Sequence, residues 1–426
     1  MARSTSRDPS PPGLLDETLA GTRGVEALRR LAVDPLDHGV RELLTKQVPD
    51  WDGSSLRLVR TKYKPGRKLS AYYELSRRGV DAQPVAVIWT NGSAEVLVSP
   101  HDPAMPQLAG LHDPAHLTDV LEAMRQRPTD TFTDPRIHTV RYRPGQRHVL
   151  WMSQPGHRAV YIKMDRDDSG VRSVPIAAAL RDRVADRCPG AGLVEPLGFS
   201  ANDRAAVWRS AAGAPLWQRF ETSRVRLLGR AVRTLHDIPP DDVPSTSAGA
   251  GSRDARDEIA ATLRAGQHIE TLLPTVGSDY RALVDELTAA LDLIPTEAPT
   301  FNHGDLKADN VLTLGDSAGS GGHPQIRLLD LDRSGPADPA LDLGKFVADL
   351  RWWSGADEGR VLALVSAFRD GYGECDPARW ERAELLASLF QLKLAARRCA
   401  VHDPNWEIDV RARVAAAVPV LVREGS

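Results

Sequence analysis

Three residues in the last third of the chain have the types and spacing to do chemistry together. In FNHGDLKADNVLTL (301–314) Asp305 stands five positions before Asn310, and in IRLLDLDRSG (326–335) an apolar run ends on Asp330. VLTL and IRLLDL read as short β runs joined by a loose turn, GDSAGSGGHP (315–324). A hairpin there carries Asp305, Asn310 and Asp330 to one edge. Two carboxylates and an amide, without a matching set of His or Cys, form an oxygen-donor site that suits Mg2+ rather than zinc or iron. Magnesium held by so few protein oxygens completes its shell with water and nucleotide phosphates, which points to phosphoryl transfer. In that chemistry Asp305 takes the proton of an attacking hydroxyl, Asn310 and Asp330 hold metal, and Lys163, ending AVYIK (159–163), grips phosphate.

These residues need elements to position them. Residues 17–47 carry helical spacing broken at Pro35, so two helices are expected, followed by strand-like segments at 56–75, 84–89 and 94–99. A Pro-rich connector (99–110) and a helix near 115–127 lead to a second β-rich stretch at 139–152. That stretch echoes the first: Tyr63-Lys64-Pro65-Gly66 matches Tyr142-Arg143-Pro144-Gly145, and each is followed by an apolar strand, one ending at Trp89 and one at Lys163. On this alignment Trp89 stands where Lys163 stands in the second copy. A helix at 174–187 and strands at 193–199 and 204–209 come next; beyond 215 the pattern is mainly helical, over 215–236, 252–272, 277–292, 353–371, 377–400 and 407–422. The order argues for an α+β protein with a β-rich and a helical lobe. The expected divisions are a leader at 1–12, an N-terminal module at 13–135, a β-rich lobe at 136–212 and a helical lobe at 213–426.

His303-Gly304-Asp305-Leu306-Lys307-Ala308-Asp309-Asn310 resembles the HGDxxxxN loop of the aminoglycoside phosphotransferase and choline kinase family, relatives of the protein kinases. LDLDRSG (329–335), with Ala337-Asp338-Pro339 and Asp342, resembles that family's metal-binding Asp segment and the DP-x-x-D element after it, and LGRAVRTLHDIP (228–239) is similar to its helix ending in Leu-His. The resemblance implies a two-lobed, protein-kinase-like fold with ATP and Mg2+ in the cleft, and an extra N-terminal β-containing cap such as the maltokinases carry. It implies that RYRPGQRHVL (141–150), with Gly145, covers phosphate, and that the backbone at Val207, Trp208, Arg209 and Ser210 meets adenine. It further implies Asp305 as base, Lys163 as phosphate lysine, Asn310 and Asp330 as metal ligands, a structural His303, and architectural Asp338 and Asp342. Departures are a single glycine in the phosphate turn and Asp332 where protein kinases have glycine. The helix after Lys163 also lacks a glutamate, leaving Asp182 or Asp186 as shorter substitutes.

Composition narrows the partners. Over 426 residues, 54 Lys+Arg against 57 Asp+Glu leave a net charge of −3, so no overall field favours nucleic acid or an anionic membrane. Three cysteines at unrelated spacings, no signal-like start and no apolar run of membrane length fit a cytoplasmic protein. Residues 351–426 hold eleven basic and eleven acidic side chains, no acidic excess for a polycationic aminoglycoside, and aromatics at 5% do not favour a choline-type cage. The expected acceptor is a hydroxyl of a small molecule; Ser/Thr of a peptide, or nucleotide binding without transfer, are the alternatives.

Overall fold

By packing, the chain divides into two compact units, one formed by residues up to Ser99 with Ala265–Ser278 and Ala396–Arg411, the other by the remainder. The computed structural model describes residues 13–48, 51, 55–77, 80–124, 132–167, 169–244, 254–315, 324–355 and 357–417. The expected leader at 1–12, most of the Ser/Gly/Ala stretch 244–252 and the turn at 316–323 lie outside the described residues.

The first unit opens with helices α1 (Leu14–Ala20), α2 (Gly24–Val33) and α3 (Val40–Gln47). Three helices replace the expected two because Gly21, at φ 85, ends α1 in the left-handed conformation that glycine adopts without steric cost. An antiparallel meander follows: β1 (Leu56–Lys64), β2 (Lys68–Arg77), β3 (Val80–Thr90) and β4 (Ser93–Val98). Two tyrosines join sheet to helices through buried hydrogen bonds, Tyr63 Oη to the Leu19 carbonyl at 2.8 Å and Tyr73 Oη to the Ala32 carbonyl at 2.7 Å.

In the second unit, α4 (Leu108–Leu111) and α5 (Pro114–Met124) precede a five-stranded antiparallel sheet. Its strands are β5 (Arg136–Arg143), β6 (Arg147–Ser153), β7 (Val160–Asp165), β8 (Pro196–Ser200) and β9 (Ala205–Arg209), in the order β5-β6-β7-β9-β8. Helix α6 (Ser169–Arg187) buries Ile176, Leu180 and Val184; it begins before the expected 174 and carries Pro175 in its interior, at the cost of a backbone hydrogen bond. After β10 (Ala214–Pro215) come α7 (Thr222–His236), α8 (Ala255–Leu272) and α9 (Pro274–Leu293). Then short strands β11 (Thr300–Asn302), β12 (Val311–Thr313), β13 (Ile326–Leu328) and β14 (Gly335–Ala337) lead into α10 (Pro339–Ser354), α11 (Glu358–Tyr372), α12 (Pro377–Arg398) and α13 (Trp406–Ala416); the end of α8, the start of α9, the end of α12 and the first half of α13 count with the first unit. Helices α7 and α11 meet backbone to backbone: a Cβ on Gly371 would lie 1.9 Å from the Arg226 carbonyl oxygen, and one on Gly229 would lie 2.3 Å from that of Phe368.

The β1-β2 and β5-β6 hairpins turn alike, with Gly66 at φ 62 and Gly145 at φ 61, and pair Lys64 with Lys68 and Arg143 with Arg147. Counting outward from these turns corrects the expected alignment. Lys163 faces Val149 on β6, and the residue facing the corresponding Ser70 on β2 is Ile88, so Ile88 and not Trp89 holds the position matching Lys163. Trp89 is a core residue, 1% exposed. A second difference is α10, which runs through Asp342 where no helix was expected.

Candidate active site

The expected hairpin forms, with Val311 opposite Leu328 across β12 and β13. It places Asn310 directly before one strand and Asp330 two residues beyond the other. The Leu329 N–H donates to the Asn310 carbonyl at 2.9 Å, closing the two loops against each other.

The loop that carries Asp305 is held from below by α10. Asp338 caps that helix, accepting the Ala340 N–H at 2.9 Å, and Pro339 stands at its first position, the arrangement that starts a helix best. One turn on, the buried Asp342 carboxylate accepts the His303 N–H at 2.6 Å and the Gly304 N–H at 2.9 Å. Burial would raise the Asp342 pKa, but hydrogen bonding and charge from His236, with the loop amides, hold it below the usual range. His236 closes α7 and also meets Tyr372 Oη at 2.8 Å. His303, fully buried, lies 2.9 Å from the Leu329 carbonyl through Nε2 and accepts the Asp305 N–H through Nδ1 at 3.3 Å. Both ring nitrogens are thus engaged inside the frame, which makes His303 a positioning group.

Asp305 lies at the edge of this frame, its side chain 20% exposed. Asn310 Nδ2 donates to its Oδ2 at 3.2 Å and to its carbonyl at 2.9 Å, so the amide oxygen of Asn310 remains the atom able to ligate metal. Two ammonium groups share the carboxylate: Lys307 Nζ lies 2.9 Å from Oδ2, and Lys345 Nζ, from α10, bonds Oδ1. Burial would raise the Asp305 pKa, but the charges of Lys345 and Lys307 outweigh it and keep the carboxyl well below the usual range.

A second charged cluster surrounds Asp330. Lys163 Nζ lies 2.6 Å from Asp330 Oδ1 and also bonds Asp332. Arg147 bonds Asp165 and reaches Asp332 at 2.8 Å and Asp330 at 3.7 Å. Burial alone would lower the Lys163 pKa; the Asp330 and Asp332 charges reverse this and raise it. Between the two coupled carboxylates the proton favours Asp332, pushed up to about 6 by burial and then by the Asp330 charge, while Lys163 and Arg147 hold Asp330 low against its own burial.

Among the described residues no three His, Cys, Asp or Glu side chains form a ready metal shell. The chemistry of the cluster nevertheless fits a divalent cation. Three carboxylates, Asp165, Asp330 and Asp332, face two cations, Lys163 and Arg147, and Asp332 Oδ1 is buried without a hydrogen-bond partner. An oxygen-only donor set with surplus negative charge is what Mg2+ takes up.

Several expectations need correction. Val207, Trp208 and Arg209 lie inside β9, which is paired with β7 on one side and β8 on the other. The Arg209 and Ser210 N–H groups go to the Glu195 and Ala159 carbonyls, both at 2.9 Å, so the strand ladder already uses this backbone. Among the described residues the unladdered stretch is Ala211–Gly213, before β10. Gly145 forms the expected turn, but its N–H donates to Asp102 Oδ2 at 2.7 Å, an acceptor from the Pro-rich connector that also meets His148 Nε2 at 3.0 Å. Neither proposed glutamate substitute reaches Lys163. Asp182 pairs with neighbouring Arg181, and Asp186 is exposed on α6. The sequence reading gives no site role to Asp165 or Lys345, names Arg147 only within the 141–150 turn and Asp332 only as a departure from the kinase pattern. The doublet Asp330-x-Asp332 was the available signal for Asp332; Lys345 carried none until α10 was known to pass beneath the catalytic loop.

A search of curated proteins returns no match. Among solved structures, an aminoglycoside phosphotransferase bound to GDP and kanamycin shares 14% identity, with 71% of this chain and 98% of that one covered and a TM-score of 0.49. An amicoumacin kinase with AMP-PNP, Ca2+ and its antibiotic shares 14%, covering 66% and 89% at a TM-score of 0.47. A Plasmodium vivax ethanolamine kinase shares 11%, covering 68% and 84% at 0.45. The profile of the phosphotransferase enzyme family, APH, matches residues 168–386, more than half the chain and the whole span from α6 through the catalytic loop to α12. The chain belongs to the phosphotransferase enzyme family.

Proposed function

We propose that the protein is a Mg2+- and ATP-dependent kinase that transfers the γ-phosphoryl group to a hydroxyl of a small molecule. The observation that carries this reading is the linked set of Asp305, Asn310, Asp330, Asp332 and Lys163, all in the compact unit that contains the family's span. Asp305 receives the acceptor's hydroxyl proton as the oxygen bonds to the γ-phosphorus, and the bond from that phosphorus to the β–γ bridging oxygen breaks, its electron pair leaving with ADP. The two ammoniums keep the carboxylate ionised, the form able to accept a proton, while lowering its basicity. The Asn310 amide oxygen, Asp330 and Asp332 would hold the cation, which when bound would neutralise charge developing on the phosphates. Lys163 and Arg147 then exchange carboxylate partners for phosphate oxygens. The backbone at 211–213 takes the place of 207–209 as the segment that meets adenine.

Calorimetric titration of Mg·ATP, paired with ADP release over a panel of hydroxylated small molecules, tests this. Nucleotide binding and acceptor-stimulated ADP release are expected, and Asp305→Asn should lower turnover about 10²–10⁴-fold while nucleotide still binds. A protein that binds no nucleotide overturns the proposal.

A further inference from the structure

The charges of the two clusters are segregated. Around Asp330 carboxylates exceed cations, whereas at Asp305 two lysines face one carboxylate. One lysine is enough to balance Asp305, and Lys307, two residues along the same loop, is suited to that part. Lys345 comes from a different element. It leaves the middle of α10, passes 5.7 Å from the Phe390 ring centroid and ends on Asp305. Lys393, near the same ring, is matched by Glu258, but among the described residues Lys345 has no carboxylate other than Asp305 within ion-pair distance. Its side chain is 17% exposed and that of Lys307 27%, so neither is fully enclosed beside the base.

We infer that the phosphate acceptor is an anionic alcohol, a small molecule bearing a carboxylate or phosphate near its reacting hydroxyl, and that Lys345 binds this group. This rests on the kinase reading above. The chemistry follows from the pairing. When a hydroxyl docks on Asp305, the carboxylate turns at least one oxygen to it, and the ammonium that oxygen held needs a new partner. An acceptor anion supplies one, while a polycationic acceptor would set its ammoniums against Lys307 and Lys345 at hydrogen-bonding range of the same carboxylate, a repulsive arrangement. Lys345 is rooted on a helix and steadied by an aromatic face, so it presents a fixed charge to the acceptor side.

The test compares gluconate and glycerate with glucose and glycerol, and with kanamycin and choline. Direct titration of each into the Mg·ADP-loaded protein is run beside steady-state ADP release. The anionic probes should bind, and their kcat/KM should exceed that of their neutral counterparts at least tenfold. Lys345→Met should raise KM for the anionic probes about tenfold or more and erase the preference, Lys345→Arg should keep it, and Mg·ATP affinity should stay within about twofold in both. If Lys345 only adjusts the basicity of Asp305, kcat for neutral and anionic acceptors shifts together, and that result overturns the inference. So does preference for kanamycin or choline, or a wild-type protein to which no anionic probe binds. Failure of the kinase reading itself is distinct, because it appears as absence of Mg·ATP binding.

Discussion

Replacing Asp342 by Asn probes the frame beneath the catalytic loop with little change of shape. The native carboxylate, 1% exposed, accepts one backbone N–H on each oxygen, His303 at 2.6 Å and Gly304 at 2.9 Å. Asparagine keeps one oxygen and puts an NH2 where the other stood, so one backbone donor faces another. The loss combines a charge-assisted hydrogen bond, about 1.5–3 kcal/mol, with an unsatisfied buried N–H, about 1–3 kcal/mol. With partial relaxation the local frame should weaken by about 3–5 kcal/mol, and 3 kcal/mol is already roughly two orders of magnitude in an opening equilibrium. Hydrogen exchange with mass spectrometry reads this directly in peptides spanning 301–310. Exchange there should quicken at least about a hundredfold, with much smaller changes in β5–β7, and turnover should fall because Asp305 is no longer held in place. Unchanged exchange at 303–304 would refute the assignment of Asp342 as the loop's support. The depressed pKa gives a sign as well: stability from Asp342 is fully present above the unfolded carboxylate value and is lost as pH falls through its lower folded value.

Three other perturbations follow from the same structure. Arg382→Met leaves the Asp338 carboxylate, at the start of α10, buried without its guanidinium, and should destabilise by about 3–5 kcal/mol in thermal or urea unfolding; a change under 1 kcal/mol would show that the pair contributes little. Gly371→Ala should cost about 1–3 kcal/mol or more, because the opposing Arg226 carbonyl is backbone and cannot swing aside; a neutral variant would mean that α7 and α11 separate freely. Asp332, with its folded pKa raised from 3.8 to about 6, contributes stability that is full below the unfolded value and lost as pH rises through about 6. Asp332→Asn should therefore remove a decline in metal-free thermal stability between about pH 4 and 6, and an unaltered pH profile would reassign the raised proton.

Much of the site was legible because its residues lie within short, ordered motifs. His303, Asp305, Asn310 and the apolar strand before Asp330 form a local pattern, and the β12–β13 hairpin needs only one turn to join them. The missed parts depend on distant register or on burial. Helix α10 shows no amphipathic stripe, since Pro339 through Leu350 are almost all buried, Asp342 and Asp349 among them, so apolar periodicity could not reveal it. Its Asp-Pro start is a readable capping signal for a helix N-terminus. The β9 error arose because an apolar run looks the same whether its backbone is free or laddered on both sides. The clasp of Asp102 on Gly145 joins residues 43 positions apart, a contact that no local pattern encodes.

Asp330 adopts a left-handed backbone conformation, φ 64, which most side chains bearing a Cβ occupy at a cost of about 1–2 kcal/mol and which Gly, Asn and Asp occupy more easily. That posture turns the chain so that Asp330 and Asp332 both reach Lys163. Alanine at 330 would therefore combine two injuries, a lost carboxylate and a tighter backbone, whereas asparagine would remove only the charge. The same geometry sets an order of tolerance for descendants of this sequence. A lineage that abandons catalysis can pass through Asn or Gly at 330 with its loop shape intact, and such a chain would keep the outline of a phosphotransferase after losing the capacity to act as one.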